Sequence, residues 1–158
     1  MTRTFQTDRM ASVEQTADIL LVEDDPQDAE LTIHALEECG FAERTEHVTD
    51  GDDALDYITS LTLFADPHTV KLPRLILLDL KRPTAGGLHV LRQLRSDERT
   101  RGIPIIVMTE SKLAIEIAES YHLGVNSYVL KPHDGPHLTE ALAAIGNYWL
   151  SFNEPPPH

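Results

Sequence analysis

Basic residues are scarce in this chain. Thirteen Lys and Arg stand against 26 Asp and Glu, a formal charge of −13 over 158 residues. A nucleic-acid surface needs a basic patch, so no nucleic-acid partner is expected. The acidity reads chiefly as solvation, with a few carboxylates left over for a cation. Cysteine is nearly absent as well: Cys39 stands alone, which excludes an internal disulfide and fits a reducing cytoplasm. No run approaches 18 apolar residues, so no membrane span is expected. The first 17 residues lack the apolar stretch of a secretory signal. Residues 1–17 read as a flexible lead-in without a function. Repeats and low-complexity segments are lacking too, and the length suits one domain with one core.

What the chain does have is four short apolar runs, each ending in polar residues. Ile19-Leu20-Leu21-Val22 runs into Glu23-Asp24-Asp25, and Leu75-Ile76-Leu77-Leu78 into Asp79. Ile105-Ile106-Val107-Met108 runs into Thr109, and Tyr128-Val129-Leu130 into Lys131-Pro132. Continuous apolar runs of this length suit strands buried on both faces of a parallel sheet. A ligand site in such a sheet lies outside the carboxyl ends of the strands.

Between the runs, helical patterns alternate with breakers. Asp25 as N-cap and Pro26 at the first helical position start a helix through Ala29, Ile33 and Leu36, stopping near Gly40. Thr45–Thr49 is a weaker strand, and a second helix carries Ala54, Leu55 and Ile58. From Ser60 to Pro73 the pattern lapses into an extended helix or a long loop. Pro83 to Gly87 reads as a loop, with Leu88, Leu91 and Leu94 marking the next helix. Lys112–Leu123 is helical by pattern, closed by Gly124 before a strand at Ser127–Leu130. A last helix from about His137 to Phe152 carries Leu138, Leu142, Ile145 and Trp149, and Pro155-Pro156-Pro157 ends it. Five strands alternating with five helices predict an α/β fold, a five-stranded parallel sheet with helices on both faces. Residues 18–152 form the expected domain and 153–158 a flexible tail, with no room for an output domain.

The strand ends supply the chemistry. Glu23, Asp24 and Asp79 come from two strands expected to lie side by side, roughly 4.8 Å apart, and can share a small hard cation such as Mg²⁺. Asp79 is the candidate nucleophile, since a carboxylate accepts a phosphoryl group as an acyl phosphate. That step is chiefly positioning and neutralisation of charge. Lys131 offers an ammonium for the phosphoryl oxygens, and Thr109 a hydroxyl.

Leu21-Val22-Glu23-Asp24-Asp25, then Leu78-Asp79-Leu80 with Pro83 and Gly87, then Thr109, then Tyr128-Val129-Leu130-Lys131-Pro132 follow in order at matching spacing. In these the chain resembles a two-component response regulator receiver domain over about Asp18 to Trp149. The resemblance implies a (βα)5 flavodoxin-like fold and a regulator, not an enzyme, that takes a phosphoryl group on Asp79 from a histidine kinase. It further implies an acid pocket of Glu23 and Asp24, with the carbonyl of Lys81 joining Asp24 and Asp79 on Mg²⁺ or Mn²⁺. Thr109 and Tyr128 would be switch residues and Lys131 the phosphate-binding lysine. The Ser60–Pro73 segment, Val125-Asn126-Ser127-Tyr128 and Asn147-Tyr148-Trp149-Leu150 are similar to stand-alone regulators paired with bacterial phytochromes.

Three positions depart from the family pattern. Arg82 replaces an apolar residue, Gly86 an acidic one, and Glu110 a small one beside the switch threonine. An Asp-nucleophile phosphatase of the haloacid dehalogenase type is the main competing reading, but it wants an aspartate where Lys81 stands. A receiver-like module without a working switch is disfavoured by Asp24, Asp79, Thr109 and Lys131. A flavodoxin-like flavin protein would need a phosphate-cradling loop after the first strand, where this chain has Glu23-Asp24-Asp25, which would repel a phosphate. The crowded Tyr148, Trp149, Leu150 and Phe152 exceed one apolar stripe. They predict a homodimer through the fourth helix, fifth strand and fifth helix.

Overall fold

The computed structural model describes residues 17–63, 66, 70–81 and 83–157. The expected lead-in up to residue 16, part of the Ser60–Pro73 segment and Arg82 lie outside them. The elements are β1 (Ile19–Val22), α1 (Pro26–Glu38), β2 (Thr45–Val48), α2 (Gly51–Thr62) and β3 (Leu75–Asp79). They continue as α3 (Leu88–Ser96), β4 (Ile105–Thr109), α4 (Ala114–His122), β5 (Ser127–Leu130) and α5 (Gly135–Asn147). All strand pairs are parallel, in the order β2-β1-β3-β4-β5. The expected α/β architecture is therefore observed.

Each apolar run splits by period two between two cores. Leu20, Val22, Ile76, Leu78, Ile105 and Val107 face the side packed by Ala54, Ile58, Leu91 and Leu94 of α2 and α3. Ile19, Leu21, Leu75, Leu77, Ile106 and Met108 face Ala35 and Leu36 of α1 and Leu138 and Leu142 of α5. Burial on both sides explains why the three central strands show no polar alternation. β5 departs from that expectation: Ser127, Tyr128 and Val129 are half-buried and Leu130 is exposed. It pairs on one side only, with β4, so as an edge strand it has less cover.

Local signals set the helix ends. Asp25 accepts from the backbone N–H groups of Gln27 and Asp28, with Pro26 at the first helical position. These bonds satisfy orphan donors of the first turn. Gly40, at φ 85°, follows α1. Asp134 caps α5 by accepting from His137, so this helix starts two residues before the expected His137. α4 starts at Ala114 instead of Lys112. Residues 83–87, expected as a loop, wind into a wide π-helical turn that runs into α3. A second π-helical turn, Tyr148–Phe152, extends α5.

The second turn alters the expected apolar surplus. Leu150 is buried, and Trp149 packs against the α1–α5 core with Tyr148 edge-on to its ring. Only Tyr148 and Phe152 are left largely exposed. Trp149 thus belongs to its own chain's core, because the widened turn swings positions 149 and 150 inward. Beyond it, the Asn153 carbonyl accepts from Arg74, which ties the start of the expected free tail to the base of the sheet. No helix among the described residues is long and apolar enough to cross a membrane.

Candidate functional site

β1 and β3 are neighbours, and the chain crosses from β1 outward to β2 before returning to β3. The crevice at their carboxyl ends is the topological switch point, where sheets of this order bind ligands. Glu23 and Asp24 follow β1 there, and Asp79 ends β3. Lys131 and Thr109 arrive from the ends of β5 and β4.

Asp79 is the centre of the arrangement. Its side chain is 3% exposed, and the Lys131 ammonium donates to Oδ1 at 2.9 Å and to Oδ2 at 2.8 Å. Thr32, from the middle of α1, donates its hydroxyl to Oδ2 at 2.8 Å. Burial pushes the Asp79 carboxyl above its usual pKa, and Lys131 and Thr32 pull against it. Glu23 is equally buried. Burial first, and the negative charge of Asp79 second, push its carboxyl up to about 8, although it accepts from the Asp25 N–H at 3.0 Å. His47 on β2 is bonded through Nε2 to the Glu23 carbonyl at 2.8 Å and so holds that peptide in place.

Two clefts meet at Asp79. One, of about 550 Å³, is lined by Glu23, Asp24, Asp79, Lys81 and Gly87. The other, of about 780 Å³, runs between α1 and the β5–α5 connection past Leu31, His34, Glu110, Lys131 and Pro132. Asp24 is exposed at the rim of the first. Glu23, Asp24 and Asp79, expected to share a cation, all line this first cleft. Among the described residues, no three side chains of metal-ligating type are gathered closely enough. Like charges repel, and Lys131 draws both Asp79 oxygens to itself.

Thr109 is fully buried and donates to the Lys81 carbonyl at 3.0 Å. It therefore meets the very oxygen expected among the metal ligands. The Ser111 N–H donates to Thr109 Oγ1, and the Ser111 hydroxyl to the buried Glu116. Tyr128 is half-buried, and its hydroxyl donates to the Ser111 carbonyl at 2.9 Å. A chain of hydrogen bonds thus joins Thr109, Ser111 and Tyr128. The Lys81 ammonium turns outward and pairs with Asp25 at 2.6 Å. Glu110 is exposed, with His133 Nδ1 3.7 Å from its carboxylate.

Sequence reasoning missed Thr32, Glu116 and His47. A signal for Thr32 existed: it is the one hydroxyl on the buried α1 face of Ala29, Thr32, Ala35 and Leu36. A helix face that otherwise packs a core has little use for a hydroxyl without a partner.

The chain is similar to several known proteins. FilR2, described as a probable methanogenesis regulatory protein of Methanothrix harundinacea, is 39% identical over 87% of this chain and 86% of its own length. The response regulator Rcp1 of a Synechocystis strain is 30% identical over 84% of this chain and 88% of its own. Among solved structures, the phosphorylated cyanobacterial phytochrome response regulator RcpA matches with a TM-score of 0.71. It is 32% identical and covers 90% of this chain and 99% of that one. The bacteriophytochrome response regulator RtBRR is 42% identical at a TM-score of 0.61, covering 90% and 85%. The Mn²⁺-bound form of Rcp1 is 30% identical at a TM-score of 0.62, covering 88% and 98%. The response regulator receiver domain model matches residues 19–143, and the chain belongs to that family.

Proposed function

We propose that this protein is a response regulator that accepts a phosphoryl group on Asp79 from a sensor histidine kinase of the bacterial phytochrome kind. Asp79 carries the reading. It is a buried carboxylate at a strand end, gripped on both oxygens by Lys131 and lining two clefts. The similarity to RcpA and RtBRR supports the choice of kinase. In the reaction one Asp79 oxygen bonds to phosphorus as the bond to the donor histidine's ring nitrogen breaks. The electron pair of that bond stays on the imidazole. Lys131 then neutralises the phosphoryl oxygens.

The residues fit a hard divalent cation, Mg²⁺ or Mn²⁺. Two carboxylates are buried at one strand junction with raised pKa values, a charge imbalance that a dication relieves. Lys81 lines the same cleft as these carboxylates, and the Thr109 hydroxyl donates to its carbonyl. Glu23, Asp24, Asp79 and that carbonyl would hold the ion, which when bound supplies neutralisation of the transferring group's charge.

The bound phosphoryl group carries about −1.5 to −2 charge and three acceptors, so it competes with the Lys81 carbonyl for the Thr109 hydroxyl. Ser111 is bonded to Thr109, and Tyr128 to Ser111. Movement of the threonine therefore loosens the tie on the Tyr128 ring. That ring is near α4, where Ile115 and Tyr121 are exposed and Leu113 just before the helix is too, and near Leu130 of β5. These residues add to Tyr148 and Phe152 as the surface for a homodimer through α4, β5 and α5. The cytoplasm is the place for such a regulator, and the lone thiol of Cys39 suits it.

Incubation with a phosphorylated histidine kinase and Mg²⁺ tests the reading. Wild type should be labelled on Asp79, and Asp79→Asn should carry no stable label. Undiminished labelling of the variant, or full labelling of wild type in excess chelator, would overturn it.

A further inference from the structure

Thr32 lies 47 residues from Asp79 in sequence and on another element. Its fully buried hydroxyl nevertheless donates to Asp79 Oδ2 at 2.8 Å. The rest of its helix face is Ala29, Ala35 and Leu36, so this is a polar contact set into an apolar wall. Lys131 bonds both carboxylate oxygens, whereas Thr32 bonds only one. The two oxygens of Asp79 are therefore not equivalent. Oδ2 is committed to the threonine, and Oδ1 is the freer one for phosphorus.

We infer that Thr32 is a catalytic residue for loss of the phosphoryl group, setting how long the phosphorylated state lasts. The inference rests on the phosphorylation of Asp79 proposed above. In the acyl phosphate, Oδ1 bridges carbon and phosphorus, and Oδ2 is an uncharged carbonyl oxygen. Hydrolysis occurs when water attacks phosphorus. The Oδ1–P bond breaks, its electron pair stays on Oδ1, and the water's oxygen and both its protons leave with the phosphoryl group as dihydrogen phosphate. Negative charge then spreads over both carboxylate oxygens, so Oδ2 becomes a charged acceptor.

A hydrogen bond to a charged acceptor is roughly twice as strong as one between neutral groups. The Thr32 bond therefore strengthens as the phosphoryl group departs, which is stabilisation of the transition state relative to the ground state. Phosphoryl transfer passes through a loose transition state in most analyses, so the departing carboxylate already holds much of its charge there. The same looseness predicts asymmetry. In the forward reaction the attacking carboxylate is still nearly fully charged at the transition state, so Thr32 stabilises start and barrier alike. Dephosphorylation should depend on Thr32, and phosphorylation should hardly do so.

Thr32→Val keeps the side chain's shape and removes the hydroxyl, and Thr32→Ser keeps the hydroxyl. Wild type and both variants are phosphorylated with acetyl phosphate and Mg²⁺, freed of donor, and followed by phosphate-affinity gel electrophoresis. The acceptor is identified by mass spectrometry. The Thr32→Val phosphoryl group should survive about three- to tenfold longer, from the loss of part of one charge-assisted bond. Its rate of phosphorylation should change by a smaller factor than its rate of decay, and Thr32→Ser should decay at nearly the wild-type rate. Unchanged or faster decay of Thr32→Val overturns the inference. So does equal slowing of both reactions, which is what a merely displaced Asp79 would give. Wild type that is never labelled on Asp79 refutes the parent reading instead, a separate outcome.

Discussion

Glu23 gives the fold a measurable cost that a single atom exchange removes. Its carboxyl is 1% exposed, and burial together with Asp79 raises it from an ordinary 4.5 to about 8. A raised folded-state pKa means that the unfolded chain ionises first as pH rises. Stability is then fully present below about pH 4.5 and is lost progressively up to about pH 8, where the loss levels off. The span of the shift, at 1.36 kcal/mol per unit, corresponds to about 3–5 kcal/mol for so buried a group. That is a large share of the ~5–15 kcal/mol typical of a domain. Glu23→Gln keeps the shape and cannot ionise. Urea unfolding of both proteins in excess chelator at pH 5, 7 and 9 reads the difference. The variant should be nearly equal to wild type at pH 5 and more stable by several kcal/mol at pH 9. Added Mg²⁺ should close much of the gap at pH 9 by binding the charged pair. Parallel pH profiles for the two proteins would refute the reasoning, for they would mean that Glu23 ionises as freely in the fold as outside it.

Glu110→Ala removes an exposed negative charge beside the larger cleft and should modestly speed phosphorylation by acetyl phosphate at low salt. The gain should fade at physiological salt, where screening acts over about 8 Å, and equal rates at low salt would discard the idea. Ile115→Lys places a charge on the exposed face of α4 and should shift sedimentation toward monomer at matched concentration. A wild type that stays monomeric at tens of micromolar, phosphorylated or not, would remove the dimer. Gly146→Ala sets a methyl group against the ring of the buried Phe41 and should cost about 1–3 kcal/mol by overpacking, read as a lower urea midpoint. A midpoint equal to or above wild type would show that the ring yields freely.

The sequence by itself determined the layers and the site's position. Apolar runs without polar alternation can be satisfied only between two covering layers, and strand ends in a parallel sheet share one edge. Asp79, Glu23, Thr109 and Lys131 are therefore legible as neighbours in the sequence alone. Capping residues such as Asp25 and the glycine after α1 act within a few residues, so those boundaries were legible too. The sequence did not reveal contacts between side chains on different elements. Whether Asp79 turns toward Lys131 or toward the other acids depends on relative charge and burial, which exist only once four strand ends and α1 are packed together. Thr32 meets Asp79 because α1 crosses the carboxyl end of β3, a distance no local pattern encodes. The Thr109 hydroxyl rests on the Lys81 carbonyl for the same reason. β5 looked like an interior strand because its residues are apolar, yet its edge place in the order leaves Leu130 exposed. Trp149 looked like surplus on a regular helix, and the widened turn after Asn147 packed it into the core. Periodicity reports which residues avoid water, but only the packed chain decides what each one meets instead.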